Sequence, residues 1–285
     1  SEWEYELNSD TFRSMLLVEL KKHNFVSHAK LLTLIFHSFH KAYYGTEITK
    51  DMIILYHIHN PPEKDLHRLK RSFADLKIIT TCREPIQNLE SWIELLKAEK
   101  DGKVPQFRRV HVLGRIESIL MGYIHRMGLN DGLIVKLEDL KESPEDVLKK
   151  LCKFLDIEFM PSILNPTFIG RQYIGPKSQV EKKVLGFNNT ALKAKKGRIF
   201  PRDDLEIFEL LFWKSKLDLG YNVMSRDSYE RKIRELNIKD LRTLSFEDGL
   251  YKHNDAGTEI GDGSLRLALA NLLTQVFLYV SARSA

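Results

Sequence analysis

Glycine is absent from the first 44 residues of this chain, and the first glycine is Gly45. A cradle of backbone N–H groups around a phosphate usually needs the conformational freedom of glycine. A Gly-Lys-Ser or Gly-Lys-Thr sequence is also missing from all 285 residues. Because such a sequence carries the phosphate loop of an ordinary nucleotide kinase, that class of enzyme is disfavoured.

Cysteine is scarce as well, with only Cys82 and Cys152, which stand in separate apolar segments. Two cysteines make neither a disulfide framework nor a metal site by themselves, so we expect buried free thiols. No cluster of His, Cys and Asp has the spacing of metal ligands, and no metal cofactor is expected. The cysteine count fits a reducing compartment without excluding a secretory one.

Long apolar runs are missing too. No stretch reaches the ~20 apolar residues of a membrane-spanning helix, and we recognise no signal peptide. Residues 265–280 are the most apolar region, but Arg266, Asn271 and Gln275 interrupt it, which favours an amphipathic docking helix. We therefore expect a cytoplasmic protein that forms homo-oligomers through this helix. A Golgi lumenal location is the alternative if the N-terminus is trimmed.

Positive charge is in slight excess, with 44 Lys and Arg against 39 Asp and Glu and a net charge of +5. The basic residues are spread along the chain, so they help attract an anionic ligand but do not form a nucleic-acid-binding signature. Nucleic acid is therefore not an expected partner.

Short apolar runs alternate with segments of helical periodicity. The runs predict strands at residues 3–7, 51–57, 76–81 and 132–137. The periodic segments predict helices at 11–22, 28–44, 64–73, 85–97, about 108–127, 144–155 and 202–219. This alternation predicts an α/β fold, a parallel sheet flanked by helices. Such sheets bind ligands at the carboxyl ends of their strands.

The pattern loosens after residue 160. Residues 165–197, rich in Lys, Asn and Gly, predict a long loop. The helix at 202–219 should stop at Gly220, and residues 222–285 are typical of helices joined by a polar linker. We therefore divide the chain into an α/β domain, residues 1–221, and a helical C-terminal extension, residues 222–285.

Polar side chains follow two of the predicted strands. Arg83 comes directly after one strand, and Ser91 stands eight residues later on the next helix, so that a cation and a hydroxyl can converge on one anion. The alternative for Arg83 is a salt bridge with Glu84 or Glu90, and the alternative for Ser91 is an ordinary helix-surface hydroxyl. His59 follows another predicted strand and would lie on the same rim as Arg83.

Four segments, in this order, resemble the sulfotransferases, α/β enzymes that move a sulfonyl group from 3′-phosphoadenosine 5′-phosphosulfate (PAPS). IITTCREPIQNLESW is similar to the strand–Arg–Ser element that binds the 3′-phosphate of the donor. The others are LIVKLEDLKESPEDVLKKLCKFLDIEF, NPTFIGRQYIGPKS and KKGRIFPRDDLEIFELLFWKSKLDLGY, the last of which resembles the closing element that ends in Gly-Tyr. The resemblance covers roughly residues 1–221.

The resemblance implies roles for particular residues at the nucleotide. Arg83 and Ser91 would bind the 3′-phosphate, and Lys195, Lys196 and Gly197 resemble the basic segment that closes over it. The alternative for that segment is a solvated lysine-rich loop. The co-substrate would be PAPS, the product would be 3′-phosphoadenosine 5′-phosphate (PAP), and no metal is implied.

The resemblance also implies a direct in-line transfer to a hydroxyl or amine acceptor. His59 would take the acceptor proton, which suits a histidine near neutral pH; a chance histidine, one of ten, is the alternative. The acceptor would be a small molecule, a glycan or a peptide.

The N-terminal segment departs from the family pattern, in which a glycine-rich loop opens the first helix. Counted back from His23, Asp10 stands at the basic position, Phe12 at a glycine, and Arg13 and Ser14 at the two hydroxyl positions. Ser14, together with Arg13, is the candidate for the 5′-phosphate. An altered loop, missing N-terminal residues, or loss of PAPS binding would each explain the departure. The last gives our alternative function, a non-catalytic sulfotransferase-fold binding module.

Overall fold

A computed structural model of the chain describes residues 8–49, 52–58, 63–98, 114–120, 132–168, 171–172, 187 and 196–235. Two compact units divide the chain, with the first ending at Leu76 and the second beginning at Lys77. The predictions for residues 3–7, 121–127, 173–186 and 236–285 lie outside the described residues. None of the described helices is both long enough and apolar enough to span a membrane.

The first unit contains three helices, α1 (Ser9–Lys21), α2 (His28–Tyr44) and α3 (Glu63–Ser72), which confirms the predictions at 11–22, 28–44 and 64–73. The start of α2 is capped by the Ser27 hydroxyl, which accepts the Lys30 N–H at 3.2 Å. The helix ends at Gly45, whose φ of +70° lies in the left-handed region that favours glycine. Local capping residues thus set both ends of α2.

The strand predicted at residues 51–57 is wrong, because the described residues 52–58 form no strand. Five of these apolar side chains are exposed: Met52, Ile53, Ile54, Leu55 and Tyr56. A strand exists only through backbone hydrogen bonds to a neighbouring strand, so an apolar run does not make one by itself. The placement of His59 at a strand end therefore has no described strand to support it.

The second unit contains a parallel pair of strands, β1 (Ile78–Cys82) and β2 (Gly132–Lys136), which confirms the strands predicted at 76–81 and 132–137. The register runs from Ile78 opposite Gly132 to Cys82 opposite Lys136. The carboxyl ends of both strands therefore lie at the same edge. The chain has the predicted α/β class, a small parallel sheet flanked by helices.

A helix follows each of the two parallel strands, β1 and β2. β1 leads into α4 (Pro85–Ala98), and a further helix, α5, is described at residues 114–120. β2 leads directly into a short helix that the sequence pattern did not predict, α6 (Leu137–Glu142), and then into α7 (Pro144–Leu155). Ser143 precedes α7 as predicted, but its side chain makes no capping hydrogen bond. With φ −138° and ψ 62°, its backbone departs from the extended conformation usual for a capping residue.

The segment predicted as a long loop contains some regular structure. It includes two short antiparallel strands, β3 (Thr167–Phe168) and β4 (Arg171–Gln172), and a 3-10 turn at Pro161–Leu164 comes just before it. Beyond it lie α8 (Arg202–Leu211), α9 (Trp213–Asp218) and α10 (Arg226–Glu235). The single helix predicted at 202–219 is thus divided at Phe212, a fully buried residue with φ −94° and ψ 5°. Gly220, with φ +71°, follows α9 as predicted.

The core of the second unit lies between α4, α5 and the C-terminal helices. Its buried side chains are Ile86, Leu89, Ile93, Ile116, Leu120, Phe200, Phe208, Leu210, Leu211, Phe212, Trp213 and Tyr229. Trp213 stacks on Tyr229 of α10 with ring centroids 4.4 Å apart, and its indole N–H donates to the Met224 carbonyl at 2.8 Å. Because each large apolar side chain that is fully buried contributes about 1.5–3 kcal/mol, this cluster anchors α4 firmly.

Candidate anion-binding site

Arg83 stands at the carboxyl edge of the sheet, directly after β1, and its side chain is half-buried. Glu84 and Pro85 follow it and start α4. The Glu84 carboxylate accepts the Gln87 N–H at 2.8 Å, which satisfies a donor in the first turn of the helix. Pro85 has no N–H to satisfy there. The turn that follows Arg83 is therefore closely determined by local contacts.

The salt bridges considered for Arg83 from the sequence are not formed. Glu84 is 5% exposed and contacts the ammonium groups of Lys196 and Lys216 at 2.9 Å and 3.3 Å. Glu90 is fully buried and accepts backbone N–H groups from another segment. Within the described ranges, the Arg83 guanidinium has neither an ion pair nor a hydrogen bond. A half-buried guanidinium in this state is available to an anionic ligand.

Ser91 lies on α4, six residues after Pro85, and its side chain is half-buried. Its hydroxyl makes no hydrogen bond to any other residue that the structure describes. At 1.5 Å rise per residue, Ser91 is about 9 Å along the helix from Pro85. A long arginine side chain together with a bound phosphate group can span that interval, so Arg83 and Ser91 remain compatible with one ligand.

Glu138 connects the end of β2 to the turn after β1. One carboxylate oxygen accepts the Glu84 backbone N–H at 2.9 Å, and the other accepts the Tyr221 hydroxyl at 2.8 Å. Burial, and then the hydrogen bond and negative charge of Glu138, raise the pKa of Tyr221, which keeps its hydroxyl protonated as a donor. Lys136 lies over the Tyr221 ring, 5.3 Å from the centroid. The hydrogen bond from the Glu84 N–H to Glu138 thereby holds the backbone that follows Arg83 against the start of α6.

A second cation, Lys141, lies on α6 and was not predicted from the sequence. It stands three residues after Glu138, so both side chains project from the same side of the helix. Burial, and then the positive charge of Arg83, lower the pKa of Lys141, while Glu138 partly opposes the effect. Lys141 was overlooked because nothing in its local spacing relates it to Arg83, which is 58 residues earlier.

Behind the strand edge, two carboxylates and two ammonium groups form a network of ion pairs. Lys216 is fully buried and contacts both Glu84 and Glu209. Lys196 contacts the same two carboxylates at 2.9 Å and 3.4 Å. Burial by itself would lower the pKa of Lys196, but the nearby carboxylates outweigh it and raise that pKa. The network is costly to break at its two buried members, Glu84 and Lys216, because the loss of either one leaves the charge of the other poorly compensated.

Glu90 holds residues 197–200 against α4. One of its oxygens accepts the N–H groups of Gly197, Ile199 and Phe200 at 3.0, 3.1 and 3.4 Å. Gly197 has a φ of +83°, a backbone conformation that favours glycine, and an added Cβ would make a tight contact of 3.1 Å with a Leu205 methyl group.

These contacts bear on the segment that was predicted to close over the 3′-phosphate. In the described arrangement the Lys196 ammonium and the Gly197 N–H are engaged with carboxylates. Lys195 lies outside the described residues, as does His59. Contacts of Lys195, Lys196 and Gly197 with the nucleotide stay a prediction.

Arg13 and Ser14 lie in the first unit, in the second turn of α1, with exposed side chains. The sequence pattern predicted a helix that begins at residue 11, with Ser14 and Arg13 as candidates for the 5′-phosphate. The helix instead starts at Ser9, and the Asn8 side chain accepts the N–H groups of Asp10 and Thr11 at 3.1 Å and 2.9 Å. Two N–H groups at the start of α1 are thus occupied by its own chain, and Arg13 and Ser14 offer their exposed side chains to a ligand.

No three His, Cys, Asp or Glu side chains come together as metal ligands in the described part of the chain. A profile of the sulfotransferase domain matches residues 18–173, which is more than half of the chain. The chain therefore belongs to the sulfotransferase family, a family of transferases.

Among solved structures, the chain is similar to "Sulfotransferase Domain from the Curacin Biosynthetic Pathway", with 15% sequence identity and a TM-score of 0.43. That similarity covers 76% of this chain and 81% of the other. Among curated proteins, none matches the sequence significantly.

Proposed function

We propose that this protein transfers a sulfonyl group from PAPS to a hydroxyl or amine on a small molecule, a glycan or a peptide. The observation that carries the proposal is the position and environment of Arg83, taken together with the chain's membership of the sulfotransferase family. Arg83 is half-buried at the carboxyl edge of the parallel sheet, and both nearby carboxylates are engaged elsewhere. Ligands of such sheets bind at this edge.

At the nucleotide end, the Arg83 guanidinium offers two parallel N–H donors to the 3′-phosphate of PAPS. This bidentate geometry is the reason that arginine is favoured over lysine for phosphate recognition. Ser91 donates its hydroxyl to the same phosphate. As the family resemblance implies, Lys195 adds a further positive charge at this phosphate.

At the reacting end, the acceptor oxygen or nitrogen attacks sulfur while the bond between sulfur and the 5′-phosphate oxygen breaks. His59 takes the proton of the acceptor, and PAP leaves with the additional negative charge on its 5′-phosphate. The side chains of Ser14 and Arg13 contact that phosphate. The transfer needs no metal.

A second candidate function, a non-catalytic anion-binding module, is favoured by the start of α1. The Asn8 side chain accepts the N–H groups of Asp10 and Thr11, which are then not offered to a phosphate, and Asp10 adds a negative charge there. A chain that keeps Arg83 but lacks this cradle can bind the nucleotide through its 3′-phosphate without transferring a sulfonyl group.

Calorimetric titration with PAP tests the nucleotide site. We expect micromolar binding by the wild-type protein and at least a tenfold loss for Arg83→Ala, because a charge-assisted hydrogen bond contributes about 1.5–3 kcal/mol. Arg231→Ala is the matched control, since Arg231 is an exposed arginine on α10. No binding by the folded wild-type protein would contradict PAPS dependence.

A turnover assay then separates the two candidate functions. PAPS and a panel of hydroxyl and amine acceptors are incubated with the wild-type protein and with His59→Ala. PAP release that depends on both an acceptor and His59 supports the enzyme. PAP binding without turnover on any acceptor supports the binding module.

A further inference from the structure

Two cations at the carboxyl edge of the sheet lack a carboxylate partner among the described residues. Arg83 follows β1, and Lys141 lies on α6, which follows β2 directly. Both side chains are half-buried. A pair of partly desolvated like charges is unfavourable in the free protein, and a bound anion would relieve the repulsion.

The connection between these cations is geometric. The β1–β2 register brings Cys82 opposite Lys136, so the chain leaves the two strands side by side at Arg83 and Leu137. Glu138 then reaches back to the N–H of Glu84, 2.9 Å away. Lys141, three residues further on α6, shares the side of the helix that faces this junction.

The other charged groups near this edge are already engaged. Lys136 pairs with Asp139 at 3.5 Å and lies over the Tyr221 ring. Both oxygens of Glu138 accept hydrogen bonds from the protein. Arg83 and Lys141 are thus the charged groups of this junction that remain available for a ligand, within the described residues.

We infer that Lys141 is a further binding residue, which joins Arg83 to form a two-cation subsite for a terminal phosphate monoester, the 3′-phosphate of the nucleotide. The inference rests on the proposed function and deepens it. A phosphate monoester carries between one and two negative charges near pH 7, so one guanidinium neutralises it only in part. Lys141 supplies the second positive charge and makes the site prefer a terminal phosphate over a singly charged group such as a sulfate ester.

Titration of full-length variants with PAP and with 5′-AMP, which lacks the 3′-phosphate, tests this assignment. For Lys141→Ala we expect about a tenfold loss of PAP affinity and no change for 5′-AMP. Lys141→Arg keeps the charge and should retain most of the PAP affinity. The control is Lys150→Ala, because Lys150 is exposed on α7 and should bind PAP as the wild-type protein does.

A second readout separates binding from a structural role. Because removal of Lys141 relieves repulsion with Arg83, we expect Lys141→Ala to keep or raise the melting temperature without PAP, and to lose part of the stabilisation that PAP confers. A lowered melting temperature together with unchanged PAP affinity would identify Lys141 as structural and overturn the inference.

Three further outcomes would each overturn the inference about Lys141. Equal losses of PAP and 5′-AMP affinity would place Lys141 at the adenosine or 5′-phosphate and overturn the 3′-phosphate assignment. Normal PAP binding by Lys141→Ala would overturn it while leaving the proposed function intact. Failure of the wild-type protein to bind PAP would overturn both together.

Discussion

The starts of α1 and α4, the two helices that sequence analysis associated with phosphate binding, use their polar groups in opposite ways. At α1, the Asn8 side chain accepts two N–H groups of the first turn, those of Asp10 and Thr11. At α4, Glu84 caps the helix and also pairs with lysines, so the preceding Arg83 keeps its charge for a ligand. Capping by an internal acceptor closes one candidate site, and engagement of the nearby carboxylates leaves the other open.

This difference has a consequence for function. The part of the chain that resembles the 3′-phosphate element retains an available cation. The part that stands where the family has its 5′-phosphate loop has no glycine, and the Asn8 side chain already accepts two of its first-turn N–H groups. PAP binding and turnover should therefore be measured separately, because these two parts of the chain predict different outcomes for them.

The largest effect should come from breaking the ion-pair network behind α4. Lys216→Met leaves Glu84 and Glu209 without their buried partner, and we expect a loss of about 3–5 kcal/mol in the free energy of unfolding. Urea denaturation followed by circular dichroism measures it. Lys232→Met is the control, because its pair with Glu206 is exposed and should contribute at most about 1 kcal/mol. Equal losses for both variants would show that the network has no special importance.

A smaller effect is expected at Tyr221, which follows α9 and donates a hydrogen bond to Glu138. Tyr221→Phe removes a hydrogen bond to a carboxylate, and we expect a loss of about 1.5–3 kcal/mol at pH 7. The raised pKa of Tyr221 makes this contribution pH-dependent. The folded state keeps the proton that the unfolded state releases near pH 10. The stabilisation is therefore full below pH 10 and is lost as the pH rises further.

Urea denaturation of the wild-type protein and of Tyr221→Phe between pH 8 and about pH 11 checks that sign. The difference between the two proteins should shrink above pH 10. Tyr44→Phe serves as the control, since Tyr44 is 53% exposed. A difference that grows with pH would contradict the assignment of Tyr221 as a neutral donor.

The smallest effect should come from the start of α1. Asn8→Ala removes the cap and should lower the free energy of unfolding by about 1 kcal/mol. If this helix start does not hold the nucleotide, PAP affinity should stay unchanged. Asn8→Asp keeps an acceptor and should retain stability. If Asn8→Ala changes the PAP affinity without the expected loss of stability, the start of α1 belongs to the nucleotide-binding site. The contrast drawn between α1 and α4 would then be wrong.

Local patterns were sufficient for much of the secondary structure. The prediction for α2 agrees with the observed His28–Tyr44, because its periodicity, its Ser27 cap and its terminal Gly45 all lie within the helix or next to it. The β1 and β2 runs were also recognised. The same reasoning failed at residues 52–58, because a strand depends on a partner that the run itself does not specify.

The candidate site was predicted only in part for the same physical reason. Arg83 and Ser91 were found because a strand end and a helix eight residues apart are related by local geometry. The groups that engage Glu84 are remote, since Lys196 and Lys216 follow it by 112 and 132 residues. Lys141 was missed because its proximity to Arg83 arises from the parallel pairing of β1 with β2.

The sequence alone determined the α/β class, the ends of the well-capped helices and the family, since these depend on periodicity, capping residues and local motifs. The tertiary structure decided which charges are neutralised. Glu84 and Glu90 follow Arg83 closely in sequence and were its candidate salt-bridge partners, yet both are engaged by segments more than 100 residues away. Whether a cation remains available to a ligand depends on such distant contacts, because ion pairing is a property of positions in space.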